Sequence, residues 1–382
     1  MEVGPKWRML EQIQFAALTK LNVPEPEAVD LVRCGKLDCY DKAYDRVTPK
    51  FAKKLQKFDD LVFPNVTTSQ DPVIKRLEEQ KEGNVYATDK ILSRLMCAPR
   101  SAYSWDVVVT KVGDKLFFDK RERGDFDLLT VHETAQEPVD EEKDPHNSAS
   151  ELSQEATLIN QNFSQQVLVE GERAIEFDEG NPFEGGSQQK CAKQAYRYRK
   201  WEIDEKTVLI ARCELDGYAD NKGQDALVSI KALNEFDSKA TGVDWRHKLE
   251  NQRGAILATE LKNNANKLAR WTAEALLSGA DQLRLGYVTR SMMKDNRSHL
   301  VLGTQMCKPR EFAAQINLKV GNLWGIFKSI VDLCRTLSDG KYLLMKDPNK
   351  QTILLYQVPG DAFDPVEEEE EEEEEEDANE DD

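Results

Sequence analysis

Gly254-Ala-Ile-Leu-Ala-Thr-Glu260-Leu-Lys262 is an apolar run closed by two charges, a pattern that an ordinary buried strand does not carry. On a strand alternate side chains share a face, so the run predicts a strand over 254–262 with Glu260 and Lys262 pointing the same way. Upstream, Thr207-Val-Leu-Ile-Ala-Arg-Cys-Glu214-Leu-Asp216-Gly217 repeats the pattern and sets Glu214 and Asp216 on one face. Side by side, these strands gather three carboxylates and one ammonium at their ends. An acidic residue, a spacer and then Glu-x-Lys can hold a divalent metal and position water against a phosphodiester. A salt-bridged cluster at a sheet edge fits the same spacing, because charged strand ends are common. The residues alone leave both readings open.

Composition sets the frame. At 382 residues the chain suffices for one large or two medium domains, and 40% hydrophobic residues with six Trp supply a core. The formal charge of −18 falls to about −2 once the sixteen acidic residues of Asp361–Asp382 are set aside. That tail contains no base and predicts disorder over 361–382. A nearly neutral body remains compatible with RNA, since local fields are screened over roughly 8–10 Å. Seven cysteines without a Cys-x-x-Cys point to a reducing compartment and no structural zinc. Met1-Glu-Val-Gly-Pro-Lys-Trp has neither a basic flank nor a long apolar run. No apolar segment approaches the roughly 18 residues of a membrane span. A soluble cytoplasmic protein is expected.

Along the chain, residues 8–21 fit either a helix or an extended lead-in. Asp71-Pro72 starts a helix, and Thr88 caps a second from Asp89 to about Cys97. Val112-Gly113-Asp114 turns a hairpin. From Asp125 to about Ser150 periodicity fails in an acidic loop, either functional or a solvated excursion. An amide-rich helix over Gln154–Val169 offers partners for base edges, as well as an ordinary polar face. Tyr196-Arg-Tyr-Arg-Lys-Trp201 alternates rings and cations, which fits single-strand binding and also a strand with aromatic core contacts. Strands near 226–233, 283–289, 300–305, 342–345 and 352–358, with helices over 265–278 and 321–337, predict a mixed α/β (α+β) body: a central mixed sheet flanked by helices. Four scattered histidines and the lack of a phosphate loop or nucleophile elbow give no support to a His-based triad or metal site.

Several long strings carry a resemblance. Tyr103-Ser-Trp-Asp-Val-Val-Val, Gly113-Asp-Lys-Leu-Phe-Phe-Asp-Lys-Arg, Asn162-Phe-Ser-Gln-Gln, Gly242-Val-Asp-Trp-Arg, Ala258-Thr-Glu-Leu-Lys-Asn-Asn, Lys267-Leu-Ala-Arg-Trp-Thr and Lys346-Asp-Pro-Asn-Lys-Gln, with the acidic C-terminus, carry it. They closely resemble the family formed by the D subunit of eukaryotic translation initiation factor 3. The match runs over nearly the whole chain without the family's N-terminal region. It implies a cap-binding domain over residues 1–360 with a fold similar to DXO-type decapping exonucleases. It also implies a role in recognising 7-methylguanosine-capped mRNA, beside other subunits of the factor and the small ribosomal subunit. No cofactor, resident metal, membrane or DNA partner is implied.

The resemblance places cap contacts at Asp89, Ala102 and Tyr103, and at Thr157, Asn160 and Gln161. Methylated guanine is a cation that stacks on aromatic faces and favours a carboxylate at its edge, so Tyr103 and Asp89 suit it. A nuclease-like pocket of Glu214, Asp216, Glu260 and Lys262 is implied, with Glu274 where the nucleases carry Gln. The family binds caps rather than cleaving them; the alternative is a metal-dependent decapping or 5′ exonuclease using those four residues. The acidic loop becomes an RNA gate over 125–139, carrying Asp125, His132, Glu133 and Glu137.

Overall fold

Leu209, Ile210, Ala211, Cys213 and Leu215 are all buried, so the strand that ends in Glu214-Leu215-Asp216 has both faces covered. In the computed structural model it lies inside a sheet with helices against it. The structure describes residues 3–363 apart from 123, 135–143, 170–172, 186–189 and 222. Glu137 and the tail from 364 onward therefore lie outside the described residues.

In chain order the longer strands are β1 (Arg8–Gln14), β2 (Ala28–Leu37), β3 (Val85–Thr88), β4 (Asp106–Val112), β5 (Lys115–Asp119), β6 (Ala195–Asp204), β7 (Thr207–Leu215), β8 (Gly217–Asn221), β9 (Gln224–Glu235), β10 (Gln282–Arg290), β11 (His299–Cys307), β12 (Gly340–Lys346) and β13 (Thr352–Val358). The longer helices are α1 (Pro72–Glu79), α2 (Asp89–Met96), α3 (Ala149–Gln166), α4 (Trp245–Asn263), α5 (Ala265–Ser278), α6 (Pro309–Gln315) and α7 (Val320–Arg335). Among the described residues one sheet has ten strands, in the order β1-β13-β12-β4-β5-β3-β7-β6-β2 with Ile175–Glu176 at the far edge. A second has seven: Lys53–Lys54, β11, β10, β9, β8, Cys39–Tyr40 and Leu168–Val169. β3 runs parallel to β7 and β5, and β9 parallel to β10, so both sheets are mixed. Among the described residues no helix is long and apolar enough to cross a membrane.

The main core lies between the sheets. Leu268, Trp271 and Leu277 of α5 meet Leu209 and Ala211 of the first sheet and Leu283 and Leu285 of the second. Each such side chain contributes about 1.5–3 kcal/mol by leaving water. Asn264 precedes α5 and Gly279 ends it with φ +67, the left-handed conformation that glycine adopts without steric cost. On the outer face of the second sheet, the ring of Phe163 from α3 sits where a Cβ on Gly286 would stand, 2.4 Å away. That close approach fixes α3 against β10.

Two strands pass between the sheets side by side: β2 continues through Asp38 into Cys39–Tyr40, and β7 into β8. β7 belongs to the first and β8 to the second, with Asp216 as the single residue between them. A Cβ on Gly217 would lie 2.9 Å from the Asp38 carbonyl oxygen and 2.7 Å from Leu168, so only glycine fits the crossing.

Most expected elements are present, with one decisive exception. The stretch 254–262 is the second half of α4, which is kinked at Gln252 (φ −133, ψ 36). Its buried residues, Ile256, Leu257, Glu260 and Asn263, follow the helical period and not strand alternation. Glu260 is buried and Lys262 exposed, so they do not share a face. The alternating strip 196–201 is an interior strand. Tyr198 donates to Asp71 at 3.1 Å, and Arg197 and Arg199 pair with Asp30 at 2.6 and 3.0 Å. Its rings and cations are therefore spent within the fold. Residues 8–21 resolve into β1 and a short helix, Phe15–Leu18. The seven cysteines are free thiols.

Candidate functional site

The sheet crossing opens a cleft of about 110 Å³. Glu214 and Asp216 line it from the crossing, Lys231 from β9, Lys90 from α2, and Arg270 and Glu274 from α5. Thr157, Asn160 and Gln161 of α3 face it, and Asp127 and Leu129 of the acidic loop cover it.

Each carboxylate here faces its own cation. Lys90 Nζ lies 2.9 Å from Glu214, Lys231 Nζ 3.8 Å from Asp216, and Arg270 3.8 Å from Glu274; Lys120 pairs with Asp127. Burial opposes the charge on Glu214, but Lys90 and Arg212 outweigh it and hold its carboxyl below the usual range. Burial likewise opposes the charge on Lys231, while Asp216, Glu274 and Glu214 keep it protonated. Asp216 is held further by the Ile230 backbone N–H at 2.6 Å and by the Gln194 amide at 3.5 Å. Glu274 accepts from the Ser93 hydroxyl at 2.7 Å.

A divalent ion does not fit this donor set. Metal ligands must present free oxygen lone pairs to a common point, and here resident ammonium and guanidinium groups hold those positions. Among the described residues no group of three or more His, Cys, Asp or Glu side chains is placed to hold a metal.

The expected residues fall into three groups. Glu214, Asp216, Thr157, Asn160 and Gln161 do converge on one cleft. Asn160 is also tied to the sheet, accepting from the Ala232 N–H at 3.0 Å. Glu260 and Lys262 are not in the cleft wall; the ammonium beside Asp216 belongs to Lys231, and the residue two before it is Ser229. Lys231 was legible as the one charge in the apolar run Ala226-Leu-Val-Ser-Ile-Lys-Ala-Leu233.

Asp89, which the resemblance gives as a cap contact, does not line the cleft surface. It is 2% exposed, and its oxygens accept the backbone N–H groups of Glu214 and Lys90, each at 2.8 Å. Burial, Glu214 and Glu274 all push its carboxyl up. It holds Glu214 in place from beneath. Ala102 and Tyr103 stand at the surface, Tyr103 being 44% exposed.

Comparison with known proteins gives the chain its family. The sequence model described as "Eukaryotic translation initiation factor 3 subunit 7 (eIF-3)" matches residues 1–357. The chain belongs to this family. It is 54% identical over 364 residues to the D subunit of eukaryotic translation initiation factor 3 of Arabidopsis thaliana, covering 95% of this chain and 61% of that protein. To the counterpart of the same name in Nasonia vitripennis it is 52% identical over 366 residues, covering 95% and 65%. The chain thus spans less than two thirds of the length of these relatives. In fold it is similar to Candida albicans Rai1 in complex with pU5-Mn2+, with a TM-score of 0.56 at 13% identity, covering 93% of this chain and 94% of that one. Scheffersomyces stipitis Rai1 gives a TM-score of 0.56 at 12% identity, covering 94% of each chain. The expected DXO-like architecture is therefore the observed one.

In this member of the initiation factor 3 subunit 7 family, the described part of the acidic loop is anchored on both sides of the cleft. The Leu129 N–H donates to Thr157 Oγ1 at 3.0 Å, and the Tyr103 hydroxyl donates to the His132 carbonyl at 3.3 Å. His132, at φ +54, donates its N–H to Asn264 Oδ1 at 3.0 Å. Glu133 is buried and accepts the first free N–H groups of α5, from Asn266 at 2.9 Å and Lys267 at 3.0 Å. Lys267 Nζ donates to the Thr130 carbonyl at 2.9 Å. Asp125 lies exposed at the loop's start.

Glu260 takes its real place in this anchor. Asn264, which holds His132, donates its side-chain N–H to Glu260 at 2.9 Å. Burial, with Glu235 and Glu133 adding to it against Lys267 and Asn264, pushes the Glu260 carboxyl up to about 7. A carboxyl raised on folding contributes stability at low pH that is lost as pH rises through its folded value. Stability should therefore fall between about pH 4.5 and pH 7, by a few kcal/mol at roughly 1.4 kcal/mol per unit. Denaturant unfolding across that range should show a shallower pH slope for Glu260→Gln. An unchanged slope would contradict the assignment.

Proposed function

We propose that residues 1–360 form the cap-recognising domain of a subunit of translation initiation factor 3. It takes the 7-methylguanosine end of messenger RNA in the cytoplasm, beside other subunits of the factor and the small ribosomal subunit. It acts as a binding domain rather than an enzyme. Family membership supports the place in initiation, and the charge-balanced cleft supports binding without cleavage. The observation that carries the reading is the loop that joins Tyr103 to Thr157 across that cleft.

Tyr103 offers a ring to the cationic base, and Thr157, Asn160 and Gln161 offer a hydroxyl and amides to its edges and sugar. Ala102 frames the approach, and Asp89 acts by positioning Glu214. Lys90 and Lys231 each carry three N–H donors and can share them between their carboxylates and a phosphate. The decapping alternative requires Glu260 and Lys262 at the cleft, and α4 carries both elsewhere.

Crosslinking to cap-labelled RNA in Mg²⁺, with unlabelled cap analogue as competitor, tests this directly. Competed crosslinking without released cap product is expected. Tyr103→Ala should weaken it about tenfold, as loss of one base stack of roughly 1–3 kcal/mol requires. Equal crosslinking of capped and uncapped RNA would sink the reading.

The stretch 125–139 is proposed as a gate, and Asp127 and Leu129 of its described residues line the cleft. Its acidic residues oppose phosphate in the same channel, and its anchor on α5 must release before RNA threads through. Glu133→Gln removes one of the oxygens that cap α5 and should raise affinity for capped RNA severalfold in equilibrium titration. Lower affinity, or none of this gain, would count against a gate.

A further inference from the structure

We propose that the exposed segment from Arg46 to Lys57 is a second RNA-binding surface, outside the cleft, which takes single-stranded RNA phosphates on its cations and one base on Phe51. The segment reads Arg46-Val-Thr-Pro-Lys50-Phe51-Ala-Lys53-Lys54-Leu-Gln-Lys57. Its five cations and Phe51 all face solvent. Buried Val47 and Leu55 pin it down, and Lys53–Lys54 pair with Val301 and Leu300 at the edge of the second sheet. The cations are thus displayed on fixed backbone, which lowers the entropic cost of engaging a ligand.

The charges of this stretch are left to an outside partner. Some surface cations are matched within the chain, as Arg310 is with Glu25 at 2.9 Å and Lys328 with Asp204 at 2.9 Å; here five cations stand together within twelve residues. Among the described residues Arg46, Lys50, Lys53, Lys54 and Lys57 have no carboxylate partner within ion-pair distance; Lys53 lies 4.2 Å from the centre of the Tyr44 ring. The acid before the segment, Asp45, is taken by Arg284 at 2.7 Å, while the exposed Asp59 and Asp60 follow its last lysine and bound the positive run on that side. On a body of near-zero charge such a run makes a local positive field that steers anions.

Phe51 decides which anion. It is 77% exposed, with a lysine immediately before it and two more within three residues. Protein interface cores are apolar and depleted in lysine, so a ring set among lysines does not suit one. A ring among cations is what an unstacked base with its flanking phosphates needs. A duplex, whose bases stay stacked, leaves the ring unused.

The segment is also fixed to the helix that lines the cleft. Asn162 Oδ1 accepts the Phe58 N–H at 3.0 Å, and Gln166 clasps the backbone at Gln56 and Lys54, at 2.7 and 3.0 Å. Thr157, Asn160 and Gln161 of the same helix face the cleft. RNA leaving the cleft can therefore continue across α3 onto the lysines. The surface does not depend on the cap reading, since an uncapped strand would bind it.

The test is fluorescence anisotropy of the 382-residue chain with a labelled, uncapped uridine-rich strand over a salt series. Replacing Lys50, Lys53, Lys54 and Lys57 together by Ala should lower affinity at least tenfold with an unchanged melting temperature. It should also make the log–log salt slope shallower by roughly 3, at about 0.7 per phosphate. Phe51→Ala should weaken binding several-fold with the slope unchanged. Unaltered affinity and slope in the quadruple variant would overturn the proposal. So would duplex RNA binding as tightly as the single strand, or a poly-glutamate peptide of equal charge competing as well as RNA.

Discussion

The arrangement depends on the backbone crossing at Asp216. Asp216 stands between the two sheets; its N–H donates to the Val228 carbonyl at 3.1 Å, and its carboxylate accepts from Ile230 at 2.6 Å. One residue thus stitches β9 to the strand that has just left the first sheet. Everything that lines the cleft is placed relative to this corner: Glu214 two residues before it, Lys231 one residue past Ile230, and α5 packed into the space that the divergence of the sheets creates. The carboxylate cannot be given up to an outside ligand without loosening that join.

The same constraint governs the charges of the cleft. A buried carboxylate must be paired or protonated, because isolated charge in a low-dielectric site costs several kcal/mol. In the cleft that requirement is met internally by Lys90, Lys231 and Arg270. An anionic ligand can take up further N–H donors of those cations while the carboxylates stay paired, whereas a metal would have to displace the cations. The loop over the cleft is held in the same way, with Glu133 serving as the missing acceptor for the first turn of α5.

Much of this is legible in the sequence. The Asp71 and Thr88 caps, the Gly113 turn and the Gly279 stop mark their elements by local chemistry, and local chemistry survives in the structure. The stretch 254–262 misleads because a short apolar run satisfies both periods. Ala255, Leu257, Ala258 and Leu261 favour helix, while charges at 260 and 262 mimic strand alternation. Reading it as a strand puts the ammonium at Lys262, where the structure has Lys231. The partners of Asp89 and Glu133 lie beyond sequence reasoning altogether, since both are backbone N–H groups brought in from more than a hundred residues away.

The central claim is that the acidic residues of the cleft are satisfied by cations of the chain itself. Calorimetric titration with Mn²⁺ tests it most directly, comparing the unaltered chain with a variant carrying Lys90→Met and Lys231→Met. The unaltered chain should show no saturable uptake at the cleft, and the variant, where Glu214 and Asp216 are left unpaired, should take up the ion. Saturable Mn²⁺ binding by the unaltered chain, lost with Glu214→Gln, would contradict it.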